Sequence, residues 1–187
     1  METTIGILGT GRMGVRLARL FAERGHRVRL GSRDPARARR IAQRLDGRRI
    51  EGVDYAGAVA AEVVLPAMFL RDGLLQTLEP FRDGLNGKIV IDITNPFNDT
   101  YDDFILPWDT SGAEQLQHRF PRTRVVGAWK NVWWEVFDAP EFDGQPSDVY
   151  VVADDPLRSA ASSIWSRARR SDTSTRGAWP TRASSSG

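Results

Sequence analysis

Short apolar segments alternate with amphipathic segments along the chain up to about residue 155. The apolar segments predict β-strands, which in chain order are Thr3–Leu8, Arg27–Leu30, Arg48–Val53, Glu62–Leu65, Lys88–Ile93, Arg124–Trp129 and Asp148–Ala153. Apolar residues at helical spacing between them predict helices, which are Gly14–Arg24, Pro35–Leu45, Gly73–Phe81 and Ser111–Phe120. Strands that alternate with helices in this way predict an α/β fold with a doubly wound, mostly parallel sheet.

A glycine-rich segment links the first predicted strand to the first predicted helix and matches the pattern G-x-G-x-x-G. In this strand–turn–helix context the pattern is typical of the Rossmann dinucleotide-binding fold, where glycines allow a tight turn, a close approach of the diphosphate and close helix packing. Free amides at the helix start then bind the phosphates. The alternative is a plain strand–helix turn with convenient glycines. The predicted cofactor-binding residues are Gly9, Thr10, Gly11, Arg12, Met13 and Gly14.

The end of the second predicted strand indicates which dinucleotide binds. Binders of NAD usually carry an acidic residue there, which hydrogen-bonds the ribose. This chain instead reads G-S-R-D-P at residues 31–35, in which Ser32 and Arg33 suit a 2′-phosphate and the preceding glycine leaves room for it. Arg37 adds positive charge, whereas Asp34 leaves ribose binding open as an alternative. We therefore predict NADP, in the form NADPH, as the cofactor.

Composition excludes several other chemistries. The chain of 187 residues has no Cys and only two His, which argues against a disulfide scaffold, a Cys nucleophile and a metal site. It contains neither a run of ~20 apolar residues nor a signal peptide, so we expect a cytoplasmic protein with no membrane partner. The net charge is +5 over residues 156–187 and −3 over residues 1–155. The mildly acidic body argues against a nucleic-acid partner.

Several segments together resemble a known family. They are I-G-I-L-G-T-G-R-M-G near the start, G-S-R-D-P at residues 31–35 and I-D-I-T-N-P at residues 91–96, followed by S-G-A-E-Q-L at 111–116 and R-V-V-G-A-W at 124–129. This set resembles the NADPH-dependent reductases of the deazaflavin coenzyme F420, over about residues 3–160. The resemblance implies hydride transfer between NADPH and coenzyme F420 or a related small molecule.

The resemblance also implies roles for single residues. Ser32 and Arg33 would bind the 2′-phosphate, and Asn95 and Pro96 would lie beside the nicotinamide at the carboxyl end of a strand. Asn131 is similar to an asparagine that the family shows soon after the sixth strand. The residues before it depart from the family's pattern, and so does the segment 97–108.

Two residues are candidates for the catalytic step. Lys130 is one of only two Lys in the chain and suits polarising a carbonyl or meeting an anionic substrate, with a surface charge as the alternative. Asn131 is the second candidate. Four aromatic residues supply flat apolar walls for a ring, or belong to the core or to a homodimer interface. These four are Phe97, Trp129, Trp133 and Trp134.

Two other functions fit the same residues. One is an imine or carbonyl reductase related to the pyrroline-carboxylate reductases, which share the glycine-rich loop. The other is a regulatory module that binds NADP(H) without turnover. In all three interpretations the partner is a small molecule, and a homodimer is compatible with the aromatic residues.

The chain changes character at its end, which predicts a dinucleotide-binding domain over residues 1–155 and a Ser/Arg-rich tail over residues 156–187. The tail is either a helix start followed by disorder or, as we favour, the product of a shifted reading frame from about Ser162. A one-base shift of TC-type Ser codons yields hydrophobic residues and a V-D-A-G-x-L…A-R segment similar to the family's next elements. The chain would then lack its last native elements, and non-TC codons at Ser162, Ser163 and Ser166 would end this hypothesis.

Overall fold

Six parallel strands and one antiparallel strand form the central sheet in a computed structural model that describes residues 2–139, 141–143 and 145–153. In chain order the strands are β1 (Thr4–Leu8), β2 (Arg27–Gly31), β3 (Ile50–Val53), β4 (Val63–Pro66), β5 (Ile89–Asp92), β6 (Arg124–Ala128), β7 (Glu141–Phe142), β8 (Gln145–Pro146) and β9 (Val151–Val152). The sheet order is β3-β2-β1-β4-β5-β6-β9, and β9 runs antiparallel to β6. The remaining pair, β7 and β8, forms a small separate hairpin. The predicted α/β fold with a mostly parallel sheet is confirmed.

Helices connect the strands. They are α1 (Arg12–Glu23), α2 (Pro35–Asp46), α3 (Tyr55–Val59), α4 (Leu74–Leu78), α5 (Arg82–Leu85) and α6 (Gly112–Arg119), with 3₁₀ helices at Glu79–Phe81 and Trp134–Phe137. The sequence analysis missed α3, α5 and the second 3₁₀ helix, because four or five residues are too few to show a helical period. Helix α3 nevertheless has a local signal, since Asp54 caps it by accepting a hydrogen bond from Gly57 N at 2.7 Å.

The two faces of the sheet carry separate cores. In β4, Val63 and Leu65 face one core while Val64 faces the other, as the two-residue period of a strand requires. The first core is covered by α1 and α2, and its largest fully buried residue is Phe21 of α1. The second core is covered by α3, α4 and α6. With both faces covered, the carboxyl edge of the sheet is left for ligands.

The strand order reverses direction between β1 and β4, which both pair with their neighbours in parallel. In doubly wound sheets ligands bind at the carboxyl ends of the strands beside such a reversal. The loops that follow β1, β2, β4, β5 and β6 therefore define the region to inspect for a site.

Two further predictions concern parts of the chain away from this edge. The predicted tail, residues 156–187, and the reading-frame hypothesis for it lie outside the described residues. Within the part of the chain that the structure describes, none of the helices has the length and apolarity needed to cross a membrane.

Candidate cofactor-binding site

The glycine-rich loop has the backbone geometry that its sequence predicts. Gly9 follows β1 with a φ of +125°, a conformation that side chains rarely adopt, and its N–H donates to Gly31 O at 2.9 Å. A Cβ at Gly9 would lie 2.6 Å from Ala67 O, and a Cβ at Gly14 would lie 2.1 Å from Gly9 O. Gly9 and Gly14 thus allow the loop and α1 to pack closely against the ends of β1 and β4.

Gly11 differs from its two neighbours because a Cβ there would meet nothing within 4 Å. It is the N-cap of α1, and no side chain caps the helix or places an acidic group in its first turn. The first amides of the helix and its dipole are therefore directed at open space, which favours an anion. The geometry fits a diphosphate held by the backbone of this loop.

The side chains of the loop have different surroundings. Arg12 is exposed, and its guanidinium carbon lies 4.5 Å from the ring centroid of Trp134. Arg16, one turn later, lies 4.6 Å from the same ring and pairs with Asp138. Met13 packs against the first core, and Thr10 is half-buried. Trp134 therefore holds the Arg12 guanidinium beside the predicted phosphate loop.

At the end of β2 the side chain of Asp34 caps the following helix. Its Oδ1 accepts from Ala36 N at 2.9 Å and from Arg37 N at 3.2 Å, so it is the N-cap of α2. The sequence carried a signal for this role, because Asp before Pro at a helix start is typical of an N-cap. One oxygen of the carboxylate that left ribose binding open is therefore used to cap the helix.

Ser32, Arg33 and Arg37 surround this cap. Ser32 is buried, and its hydroxyl accepts from Asp34 N at 3.1 Å. Arg33 and Arg37 are exposed, and neither guanidinium has a hydrogen-bond or ion-pair partner among residues 2–139, 141–143 and 145–153. A Cβ at Gly31 would lie 2.8 Å from Ala58 Cβ, so the absence of a side chain there serves helix packing rather than leaving room for a phosphate.

Asn95 and Lys130 come together at the ends of β5 and β6. Asn95 Nδ2 donates to Lys130 O at 2.7 Å, and Lys130 Nζ donates to Thr94 O at 2.6 Å. Lys130 also pairs with Asp92, whose side chain is completely buried. Pro96 is half-buried next to Asn95. Lys130 is thus a partly buried, paired cation rather than the free surface charge of the alternative. No local pattern in the sequence marks Asp92 as its partner.

The other catalytic candidate has structural contacts at both ends of its amide. Asn131 Nδ2 donates to Asp148 O at 2.9 Å, and its Oδ1 accepts from Tyr150 N at 3.3 Å. These bonds attach the segment before β9 to the end of β6.

The aromatic residues do not form one wall. Trp129 is buried, has a φ of +53° and contacts Phe21 edge-on with ring centroids 5.6 Å apart, so it belongs to the core. Trp133 is exposed to solvent, and Trp134 lies beneath the two arginines. Phe97 stacks on Phe104 at 5.2 Å in the loop after β5.

That loop, residues 97–108, is held by a half-buried arginine that the sequence analysis missed. Arg71 Nη1 donates to Phe97 O at 2.9 Å and to Asn98 O at 2.8 Å, and its Nη2 donates to Tyr101 Oη at 2.7 Å. Nothing in the local sequence marks Arg71, because its partners lie about 30 residues away. Around it the loop exposes several apolar side chains, which are Tyr101, Phe104, Ile105 and Trp108.

The acidic residues of the same loop are used locally. Asp102 accepts from Thr100 Oγ1 at 2.6 Å and from Asn98 Nδ2 at 2.7 Å, and these hydrogen bonds hold the pKa of its carboxyl below the usual value. No group of three or more His, Asp or Glu in the described part of the chain is arranged to hold a metal ion. A surface cavity of about 1100 Å³ lies at the opposite, amino edge of β1, β2 and β3, away from every predicted site residue.

Comparison with known proteins assigns the chain to a family. The model of the family "NADP oxidoreductase coenzyme F420-dependent" matches residues 4–96. The F420-dependent NADP reductase of Methanothermobacter thermautotrophicus is 32% identical over 137 residues, which are 66% of this chain and 59% of that protein. The chain thus spans about three fifths of the length of this relative.

Two further matches show how the likeness is distributed. A glycerol-3-phosphate dehydrogenase [NAD(P)+] of Azotobacter vinelandii is 39% identical over 105 residues, covering 48% of this chain and 30% of the enzyme. A solved structure from Arthrobacter sp. FB24, assigned provisionally as an F420-dependent NADP reductase, has a TM-score of 0.75 and 25% identity and covers 90% of this chain and 82% of its own. The chain belongs to the family of coenzyme F420-dependent NADP oxidoreductases.

Proposed function

We propose that this protein is an NADP(H)-dependent oxidoreductase that transfers hydride between NADPH and the deazaflavin coenzyme F420. The observation that carries the proposal is the end of β2, where Asp34 is committed to capping α2 while Arg33 and Arg37 keep exposed guanidiniums. An unpaired guanidinium binds a phosphate monoester in a bidentate manner. Coenzyme F420 is proposed as the hydride acceptor because relatives carry the name F420-dependent NADP reductase.

In this proposal a different set of residues binds each part of the cofactor. The glycine-rich loop holds the diphosphate, and its residues are Gly9, Thr10, Gly11, Arg12, Met13 and Gly14. Ser32, Arg33 and Arg37 hold the 2′-phosphate, and Asn95 and Pro96 lie beside the nicotinamide. When bound, NADPH supplies the hydride. The protein's part is to align the two rings and to exclude water, which requires no His or Cys.

Replacing one arginine tests the cofactor assignment. Arg33→Ala removes a charge-assisted contact to the 2′-phosphate, and such contacts contribute about 1.5–3 kcal/mol. We expect the Kd for NADPH to rise roughly tenfold to a hundredfold and the Kd for NADH, which lacks that phosphate, to stay unchanged. Titration of protein fluorescence with each nucleotide measures both constants.

The matched control is Arg44→Ala, which removes the same charge from the far end of the same helix. Because Arg44 is exposed and about two turns beyond Arg37, both nucleotides should bind it as they bind the wild type. Equal losses of NADPH and NADH affinity in Arg33→Ala would refute the 2′-phosphate assignment. Oxidation of NADPH by F420, followed by absorbance, tests the reaction itself.

The two alternative functions are not favoured. The curated relatives that cover most of the folded domain are F420-dependent NADP reductases, which supports a catalytic protein of that kind over an imine or carbonyl reductase. Because these relatives are enzymes, a regulatory module without turnover is also not favoured. Asn131 fits an orienting role at the end of β6 better than a catalytic one, since both ends of its amide are engaged.

Assembly and location complete the proposal. We infer a homodimer, which is supported by exposed apolar side chains on loop 97–108 and by exposed Trp133. We also propose a cytoplasmic location. Sedimentation velocity measures the dimer directly. We also propose residues 1–155 as the dinucleotide-binding domain and residues 156–187 as a separate tail, with gene sequencing as the test of the reading-frame hypothesis.

A further inference from the structure

The loops after β5 and β6 are linked by a reciprocal set of polar contacts. The side chain of Asn95 donates to the backbone of Lys130, and the side chain of Lys130 donates to the backbone of Thr94. The Lys130 ammonium also pairs with Asp92, the last residue of β5. Three contacts between two short segments fix the position of one loop relative to the other.

The path of the lysine side chain shows that this arrangement is built into the sheet. In the strand register Asp92 lies opposite Gly127 of β6. A Cβ at Gly127 would lie 3.1 Å from Lys130 Cε, so the lysine stem folds back over that glycine to reach the next strand. A methyl group at position 127 would force the end of the lysine stem to shift by a few tenths of an ångström.

The Asp92 carboxylate is fully buried, so no solvent screens its negative charge. Its Oδ1 accepts from Thr94 N at 2.9 Å and from Thr94 Oγ1 at 2.7 Å, and its Oδ2 faces the ammonium. A buried carboxylate with these partners is rigid, because each of its oxygens is held by a donor. The ammonium is consequently held as well.

This network determines which end of the Asn95 amide is available. The group that faces Lys130 O must be the NH₂ end, because a carbonyl oxygen accepts and does not donate. The Asn95 Oδ1 has no hydrogen-bond partner within the described ranges, and the side chain is half-buried at the ligand edge of the sheet. A hydrogen-bond acceptor in a fixed orientation is thus presented to a ligand.

We propose that Asp92 and Lys130 are positioning residues that orient Asn95, so that its Oδ1 accepts a hydrogen bond from the carboxamide of a bound nicotinamide. The inference rests on the proposed function and assigns these two residues a role in ring alignment rather than in phosphate binding. Loss of the network should therefore affect hydride transfer much more than NADPH affinity, because the phosphates are held at β1 and β2.

The test compares Lys130→Met with the double variant Asp92→Asn/Lys130→Met and with Lys88→Met. The double variant removes the buried charge that Lys130→Met alone would leave unpaired, so it keeps the test valid if the single variant does not fold. Lys88→Met is the matched control, since Lys88 is the other lysine of the chain and donates to Val59 O at 2.6 Å at the amino end of β5.

Four readouts separate positioning from general stability. For the double variant we expect kcat with F420 to fall at least tenfold, while the Kd for NADPH changes less than about threefold and the fluorescence enhancement of bound NADPH is lost. In the protein without ligand, the side-chain amide signals of Asn95 in an NMR spectrum should shift in the double variant and stay in place in Lys88→Met.

The possible failures are distinguishable. A double variant with wild-type kcat, wild-type NADPH fluorescence and unshifted Asn95 signals overturns the positioning role, even when the wild type binds and oxidises NADPH as proposed. A wild-type chain that gives no NADPH titration overturns the proposed function and the positioning role together. If Lys88→Met also lowers kcat tenfold, the positioning role is overturned, because the loss of activity would then not be specific to the Asp92–Lys130 network.

Discussion

Alanine at Gly11 and alanine at Gly14 should have opposite consequences, although both lie in the same glycine-rich loop. A Cβ at Gly14 would lie 2.1 Å from Gly9 O, against the 3.4 Å at which ordinary contact begins. The loop or α1 must therefore move by more than 1 Å. A Cβ at Gly11 meets no atom of the protein within 4 Å and protrudes into the space where the diphosphate is proposed to bind.

The structure gives magnitudes for both variants. Forced overpacking of this kind costs about 1–3 kcal/mol. For a domain of this size 1 kcal/mol lowers the Tm by about 2–4 °C, so Gly14→Ala should melt roughly 2–12 °C lower. Gly11→Ala loses some N-cap preference but also reduces the entropy of the unfolded chain, so its Tm should stay within about 4 °C of the wild type.

Binding should show the reverse order. The added methyl group of Gly11→Ala keeps the diphosphate from the helix amides, and one lost amide–phosphate hydrogen bond of about 1.5–3 kcal/mol raises the Kd for NADPH roughly tenfold to a hundredfold. Thermal unfolding by circular dichroism and fluorescence titration with NADPH measure the two effects. A Gly14→Ala variant that melts at the wild-type temperature, or a Gly11→Ala variant with wild-type affinity, would refute the reasoning.

Two further variants test contacts outside the loop. Arg71→Met keeps the apolar stem but leaves two backbone carbonyls of loop 97–108 without a donor, so chymotrypsin should cut the loop several-fold faster in limited proteolysis, whereas equal rates would contradict the anchoring role. Asp138→Asn tests the ion pair with Arg16, whose hydrogen bond holds the pKa of the Asp138 carboxyl below its usual value. A depressed pKa stabilises the fold above the unfolded value of about 3.9 and loses that effect as the pH falls through the folded value, so the Tm difference from wild type should be present at pH 7 and shrink below about pH 4. A difference that stays constant down to pH 2.5 would rule out the carboxylate as its source.

The sequence was sufficient where the information is local. The glycine-rich loop, the end of β2 and most helices and strands were predicted within a few residues, because strand and helix periods and turn residues act over short distances. The cap at Asp34 could also be predicted, since Pro35 follows it, although the sequence analysis considered Asp34 only as an alternative ligand for the ribose. The short helix α3 escaped because five residues carry too little periodicity.

The other features follow from packing, since strand order and register bring together residues that are far apart in the chain. Lys130 meets Asp92 because β5 and β6 are neighbours and the lysine stem passes over Gly127. Trp129 turns into the core through its left-handed backbone, whereas the sequence had left a wall for a ligand, the core and a dimer interface as alternatives. Local sequence patterns are enough to predict a dinucleotide-binding loop at the start of this fold. The packed sheet establishes which polar groups stay unpaired, because burial and pairing depend on neighbours that are distant in the chain.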